Sequence, residues 1–145
     1  MSAIQERARH ELRGAIFNGL VERVLLTLLC SAYLLGALQK FSDLSAAAAE
    51  MEHFGLSPGL PMAVCVGALE GLGSVAVIAG IFRPLAAFGL GVFTFAASCL
   101  ANKFWTLTGH DRFTAENGFF EHLGLAGSFF LVAWLDWRSG RTPRP

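Results

Sequence analysis

The chain has 145 residues, of which 54% are hydrophobic and only 15% charged, and its formal net charge is zero. A soluble domain carries about 25% charged residues, and a small one exposes much of its surface to water, so this composition argues against a water-soluble globule. The basic residues lie at the flanks of apolar runs and not in one patch, which excludes the footprint of a nucleic-acid binder. The low hydrophobicity and high charge of a disordered chain are also absent.

The chain opens with a polar stretch, Ser2–Asn18, in which Ile4, Ala8, Leu12 and Ala15 or Ile16 fall along one helical side. Residues 1–19 therefore read as an amphipathic cytoplasmic helix, either resting on the membrane surface or solvated. The first apolar run is Leu20–Leu38. Ser42 can then cap a short helix from Asp43 to Phe54, with Gly55 as its terminator and Pro58 and Pro61 beyond. Its Ala-rich, acidic makeup suggests an outer interfacial helix packed over the bundle mouth.

The second apolar run, Leu60–Phe82, leads into a tight turn at Arg83-Pro84, and the third is Leu85–Leu100. The third extends through Ala101, Phe104 and Trp105, whose rings suit the headgroup boundary. A second outer loop, Asn102–Asn117, precedes the fourth run, Phe119–Leu135, which ends beside Trp134 and Trp137. A spanning helix needs about 20 mostly apolar residues, and no run alternates with the period of a barrel strand. The expected fold is an all-α integral membrane four-helix bundle, residues 20–137, with a short outer interfacial helix and a basic cytoplasmic tail at 138–145.

Charge sets the expected orientation. Arg7, Arg9, Arg13, Arg23, Arg83, Arg138, Arg141 and Arg144 fall on one side, against Lys40, Lys103 and Arg112 on the other. Cytoplasmic loops collect Lys and Arg, so both termini are expected inside.

Ionisable residues at membrane depth need a reason, because no water satisfies them there. Glu70 lies about 15 Å from the outer end of its run at 1.5 Å per residue. Its carboxyl is either a proton-accepting or ligand-facing group, or a protonated side chain hydrogen-bonded between helices. Lys40, Asn102 and His122 stand at the outer ends of the other spans and are candidates to line a pocket with Glu70. His122 could hydrogen-bond a quinone-like carbonyl; the alternative is that these ends are simply interfacial. On the cytoplasmic side Glu22, Arg23 and Arg83 share a level with Asp136, as anchoring groups with an ion pair between Glu22 and Arg83.

Small residues at Gly67, Gly71 and Gly73, at Gly89 and Gly91, and at Gly124 and Gly127 suit close helix contact, within the bundle or with neighbours. Phe93, Phe95, Phe129 and Phe130 are read as lipid-facing or interfacial. Cys30, Cys65 and Cys99 fall one in each of three spans, without metal-ligand or dithiol spacing, and serve as apolar filler. A Cys65–Cys99 proximity is left open, and no catalytic residue is assigned.

Several of these residues occur in an ordered pattern. Gly36-x-x-x-Lys40-Phe41 is followed by Phe54-Gly55-Leu56-x-Pro58, then by Glu70-Gly71-x-Gly73, and then by Gly80-x-x-Arg83-Pro-Leu-Ala-Ala87. Phe104-Trp105 and Phe120-Glu121-His122-Leu-Gly-Leu-Ala-Gly127 continue it. The order resembles the DoxX family over about residues 20–135. It departs where many relatives carry His-Asp before Phe-Trp and Lys-Asn in the last span; here these read Asn102-Lys103 and Glu121-His122.

The resemblance implies a four-span bacterial inner-membrane protein, related to the small subunit of thiosulfate:quinone oxidoreductase. It points to an accessory subunit of a quinone-linked redox system, more an accessory than a self-contained enzyme. Its expected partners are membrane lipid and other membrane protein subunits, without nucleic acid. A quinone is the candidate ligand, and no cofactor held covalently or by metal ligands is expected. The competing expectation is a structural or assembly subunit of a larger membrane complex.

Overall fold

The computed structural model describes residues 3–140, with side chains from residue 17 onward. Among the described residues the chain forms five α-helices and no strand: α1 (Ala3–Ser42), α2 (Leu44–His53), α3 (Gly59–Ala79), α4 (Arg83–Ala101) and α5 (Gly109–Arg138). Four stretches are long and apolar enough to cross a membrane: Phe17–Ser42, Gly59–Ala79, Arg83–Thr106 and Gly109–Arg138. The protein is thus an all-α, multi-pass membrane bundle, as the apolar runs led us to expect.

Each spanning helix buries one stripe at spacings of three and four residues. On α1 the stripe is Leu26, Cys30, Tyr33 and Ala37; on α3 it is Ala63, Gly67, Glu70, Ser74 and Val77. On α4 it is Arg83, Ala87, Leu90, Thr94 and Ser98, and on α5 Ala126, Phe129 and Ala133. The central layer is apolar, built around Leu26, Val77, Leu90 and Phe129. Most other large apolar side chains face outward, the inverse of a soluble bundle and the arrangement that lipid requires. Helix α3 lies between α1 and α4, and α5 packs along α4, whereas the backbones of α1 and α5 stay apart and meet through side chains such as Tyr33 and Phe129.

Four boundaries differ from the sequence expectation. Helix α1 runs unbroken through residue 20, so the N-terminal stretch and the first span share one helix about 60 Å long at 1.5 Å per residue. The amphipathic side chains expected over Ile4–Ile16 lie outside the described side chains. Asp43, not Ser42, caps α2: its Oδ1 accepts the Ala46 amide at 2.9 Å and the Ser45 hydroxyl at 2.8 Å. A carboxylate one residue nearer the helix reaches the third amide, whereas the Ser42 hydroxyl turns back to donate to the Gln39 carbonyl.

Gly55, at φ +78°, ends α2 as expected: its N–H donates to the Glu52 carbonyl and that of Leu56 to Met51. Helix α2 then packs along the first turns of α3, through Ala47 and Met51 against Ala63, and so flanks α3 more than it roofs the bundle. The loop expected over residues 102–117 is half helix. Helix α4 stops at Ala101, Phe104–Thr106 form a short 3₁₀ turn, and α5 already begins at Gly109. Apolar content marks only the lipid-facing part of a helix; the polar first turns of α5 include the i,i+4 pair Arg112–Glu116.

Candidate functional site

Lys40 lies near the end of α1, yet α3 begins about two turns beyond it. Ala37 packs on Gly71, and the Lys40 stem and the Phe41 ring lie over Gly67. This register sets Lys40 opposite Glu70. The Lys40 ammonium donates to both carboxylate oxygens, at 3.1 Å to Oε2 and 3.4 Å to Oε1. The two side chains are only 13% and 10% exposed, so the pair is enclosed between two helices. Gly36 completes the seat: a methyl group there would lie 2.9 Å from Glu70 Oε2, a space that only glycine leaves to the carboxylate.

Asn102 and His122 make other contacts. Both lie beside Gly118 of α5: a Cβ there would meet Asn102 Oδ1 at 2.9 Å, and His122 Nδ1 is 2.7 Å from the Gly118 carbonyl. The Asn102 amide also donates to Ser98 Oγ, at 3.5 Å. Among the described residues no hydrogen bond or ion pair joins Asn102 or His122 to Lys40 or Glu70. Of the four residues that the sequence placed at one mouth, Lys40 and Glu70 are in direct contact, while Asn102 and His122 each lie against α5 at Gly118.

Below the Lys40–Glu70 pair is a polar layer that the sequence reading passed over. Tyr33 Oη lies 2.6 Å from Thr94 Oγ1, which donates to the Leu90 carbonyl at 2.6 Å. A hydroxyl has one hydrogen, so Tyr33 is the donor in the first bond. Ser74, one turn from Glu70 on the same face of α3, is fully buried, and its hydroxyl makes no hydrogen bond of good geometry, with the Cys30 thiol beside it. The signal available was that Tyr33 is the chain's single tyrosine and shares a helical face with Lys40, seven residues on.

The other end of the bundle is organised by Arg83. The turn from α3 to α4 is tight, with Gly80 at φ +79° and Phe82, without a glycine's freedom, at φ +46°. It sets Arg83 on the first turn of α4, where its Nε donates to the Val77 carbonyl at 2.8 Å and satisfies a terminal carbonyl of α3. Its Nη1 bonds Glu22 of α1 and stands 3.6 Å from Asp136 Oδ2 of α5. Arg83 is buried and Glu22 is 40% exposed. Arg23 makes no ion pair with a described residue, and its stem runs along an apolar groove beside Leu34, Val75 and Ile78.

Residues 21–103 match the model of the DoxX family, more than half of the chain. The chain belongs to the DoxX family. Neither a curated protein nor a solved structure matches it. The DoxX match takes in Glu22, Lys40, Glu70, Arg83 and Asn102 and stops before α5, which carries His122 and Asp136.

Gly67, Gly71 and Gly73 each pack against a neighbouring helix, Gly73 against Leu90. Gly124 and Gly127 do not: nothing lies within 4 Å of a Cβ at either, because they occupy the outward face of α5. Gly91 makes the close contact there, against the Phe130 ring. Phe95 faces outward as expected, but Phe129 is fully buried and meets Tyr33 edge-on at 5.2 Å, so its reading as lipid-facing is corrected. The three cysteines are free, with Cys30 buried and Cys65 exposed.

Proposed function

We propose that this protein is an accessory integral-membrane subunit of a quinone-linked redox system, and that Lys40 and Glu70 anchor the carbonyl head of a quinone or a similar lipid-soluble ligand. The observation that carries this reading is an enclosed charge pair between two helices that small residues already hold together. Ala37 against Gly71 and Phe41 against Gly67 bring α1 and α3 into close contact without it. A buried ion pair adds little net stability, because desolvation offsets the attraction. Its cost is better explained by recognition than by fastening.

The chemistry suits a carbonyl ligand. Lys40 offers three N–H donors, and Glu70 holds its amine in place from α3. The Ser74 hydroxyl, one turn deeper on the same face of α3 and beside the Cys30 thiol, adds a polar group below the pair. Membership of the DoxX family supports the quinone assignment. In this reading the chain holds no redox centre of its own. It resides in a bacterial inner membrane with both termini cytoplasmic, supported by eight basic residues on the Arg83 side against three on the Lys40 side. Titration of a short-chain quinone into the purified protein in mild detergent should give saturable binding that Glu70→Gln weakens. Absence of saturable binding would remove the proposal.

One observation favours a second reading, a structural subunit of a larger membrane complex. Gly89, Gly124 and Gly127 leave open space on the outer faces of α4 and α5, where another helix can approach closely. Native mass spectrometry after gentle extraction from the native membrane separates the two. A stable complex lost on Gly124→Leu supports the second reading, and a free chain that binds quinone supports the first.

A further inference from the structure

We propose that the cavity between α1 and α5 at the Arg83 end is a lipid site that takes the headgroup of a phosphoethanolamine lipid. The cavity holds about 440 Å³ and lies between α1 and α5, whose backbones stay apart. That volume falls within the roughly 300–1,000 Å³ of small-molecule sites. Its lining divides in two. Leu26, Val132 and Leu135 form an apolar wall, and Glu22, Arg83 and Asp136 bring charge of both signs from three helices. Such a cavity matches an amphiphile, not a water-soluble ion.

Depth supports a lipid as the occupant. Trp134 and Trp137 expose their rings on the same turns of α5, and the Arg138 guanidinium lies 5.4 Å from the Trp134 ring centre. Aromatic rings and basic side chains gather at the headgroup level, so the charged half of the cavity lies where headgroups lie and its apolar wall meets the acyl chains.

The charges narrow the headgroup. A phosphate alone could use Arg83 but would face two carboxylates on the same guanidinium. A choline head carries the right charges, but its methylated nitrogen has no N–H to give a carboxylate. A primary ammonium joined to a phosphate satisfies both: N–H donors for Glu22 and Asp136, and acceptor oxygens for Arg83. The Asp136 carboxylate has about four acceptor positions, so its contact with Arg83 leaves room for another donor.

The test is lipid competition on the full chain, by native mass spectrometry after exchange into an equal mixture of phosphatidylethanolamine, its mono- and dimethylated forms, phosphatidylcholine and phosphatidylglycerol. The expected result is one retained lipid per chain, phosphatidylethanolamine preferred severalfold, with retention falling at each methylation. Asp136→Asn should flatten that preference, whereas Arg112→Ala, far from the cavity, should not. If Asp136→Asn does not fold, Glu22→Gln at the cavity rim gives the same readout. Equal retention of all five lipids, or a preference unchanged in the folded variants, would overturn the proposal. The outcome is independent of quinone binding at the opposite end.

Discussion

At one end of this bundle Lys40 meets Glu70 across α1 and α3, two helices already in close contact. At the other, Arg83 reaches from α4 to the end of α3, to Glu22 of α1 and to Asp136 of α5, and so ties α1 to α5, whose backbones stay apart. Both clusters set charge against charge in a membrane, yet their surroundings differ. Around Lys40–Glu70 the backbone contacts are complete, and glycine makes room for the carboxylate. Around Arg83 the ion pairs replace packing that is missing. On the proposed function, the pair between packed helices serves recognition and the cluster between separated ones serves fastening.

That contrast is open to attack by substitution, and the largest effect belongs to the fastening cluster. Arg83→Met should cost about 3 kcal/mol or more, since it strands Asp136 and frees a terminal carbonyl of α3. Thermal unfolding in detergent would show it; a variant as stable as the parent would break the distinction. Lys40→Met alone should cost about 2 kcal/mol by leaving a carboxylate enclosed without its cation. Adding Glu70→Met should recover most of that loss, because the pair is not what holds α1 to α3. A double variant no more stable than Lys40→Met would make the pair a fastener after all.

Smaller effects sharpen the picture. Gly36→Ala should cost about 1 kcal/mol, as the displaced carboxylate shifts off Lys40, and it should weaken quinone binding more than its stability change alone explains. Gly124→Ala and Gly127→Ala should leave unfolding within about 0.5 kcal/mol of the parent, because each added methyl meets open space.

The smallest effect is local. The Ala46 amide and the Ser45 hydroxyl hold the Asp43 carboxyl below its ordinary range. A lowered folded-state pKa means that the cap stabilises α2 fully above the ordinary carboxylate pKa. That stabilisation fades as pH falls through the lowered value. Hydrogen exchange at Ala46 should quicken only under strongly acid conditions, and Asp43→Ala should remove that dependence.

Much of the bundle was legible because lipid imposes a simple rule: a helix that spans must be apolar over about 20 residues. The rule located all four spans and even the glycine that ends α2. It misplaced the start of α5, since its first turns are polar and stand clear of the apolar run. It did not resolve the contacts of Asn102 and His122, which fall on Gly118, since the ends of spans can be ranked by depth from sequence but not by neighbour. Glu70 stood out as a charge among apolar residues, and the expected Glu22–Arg83 contact formed. Tyr33, Thr94 and Ser74 gave no such signal: single hydroxyls are common in membrane helices, and their meaning lies in which helix they face.

On the proposed function, Lys40 and Glu70 recognise a ligand and do not hold the bundle together. Quinone titration of the Lys40→Met/Glu70→Met double variant, with its unfolding curve from the same preparation, tests this directly. We predict a bundle close to the parent in stability that no longer binds quinone saturably. A double variant that binds as the parent does, or that loses its fold with its charges, would contradict it.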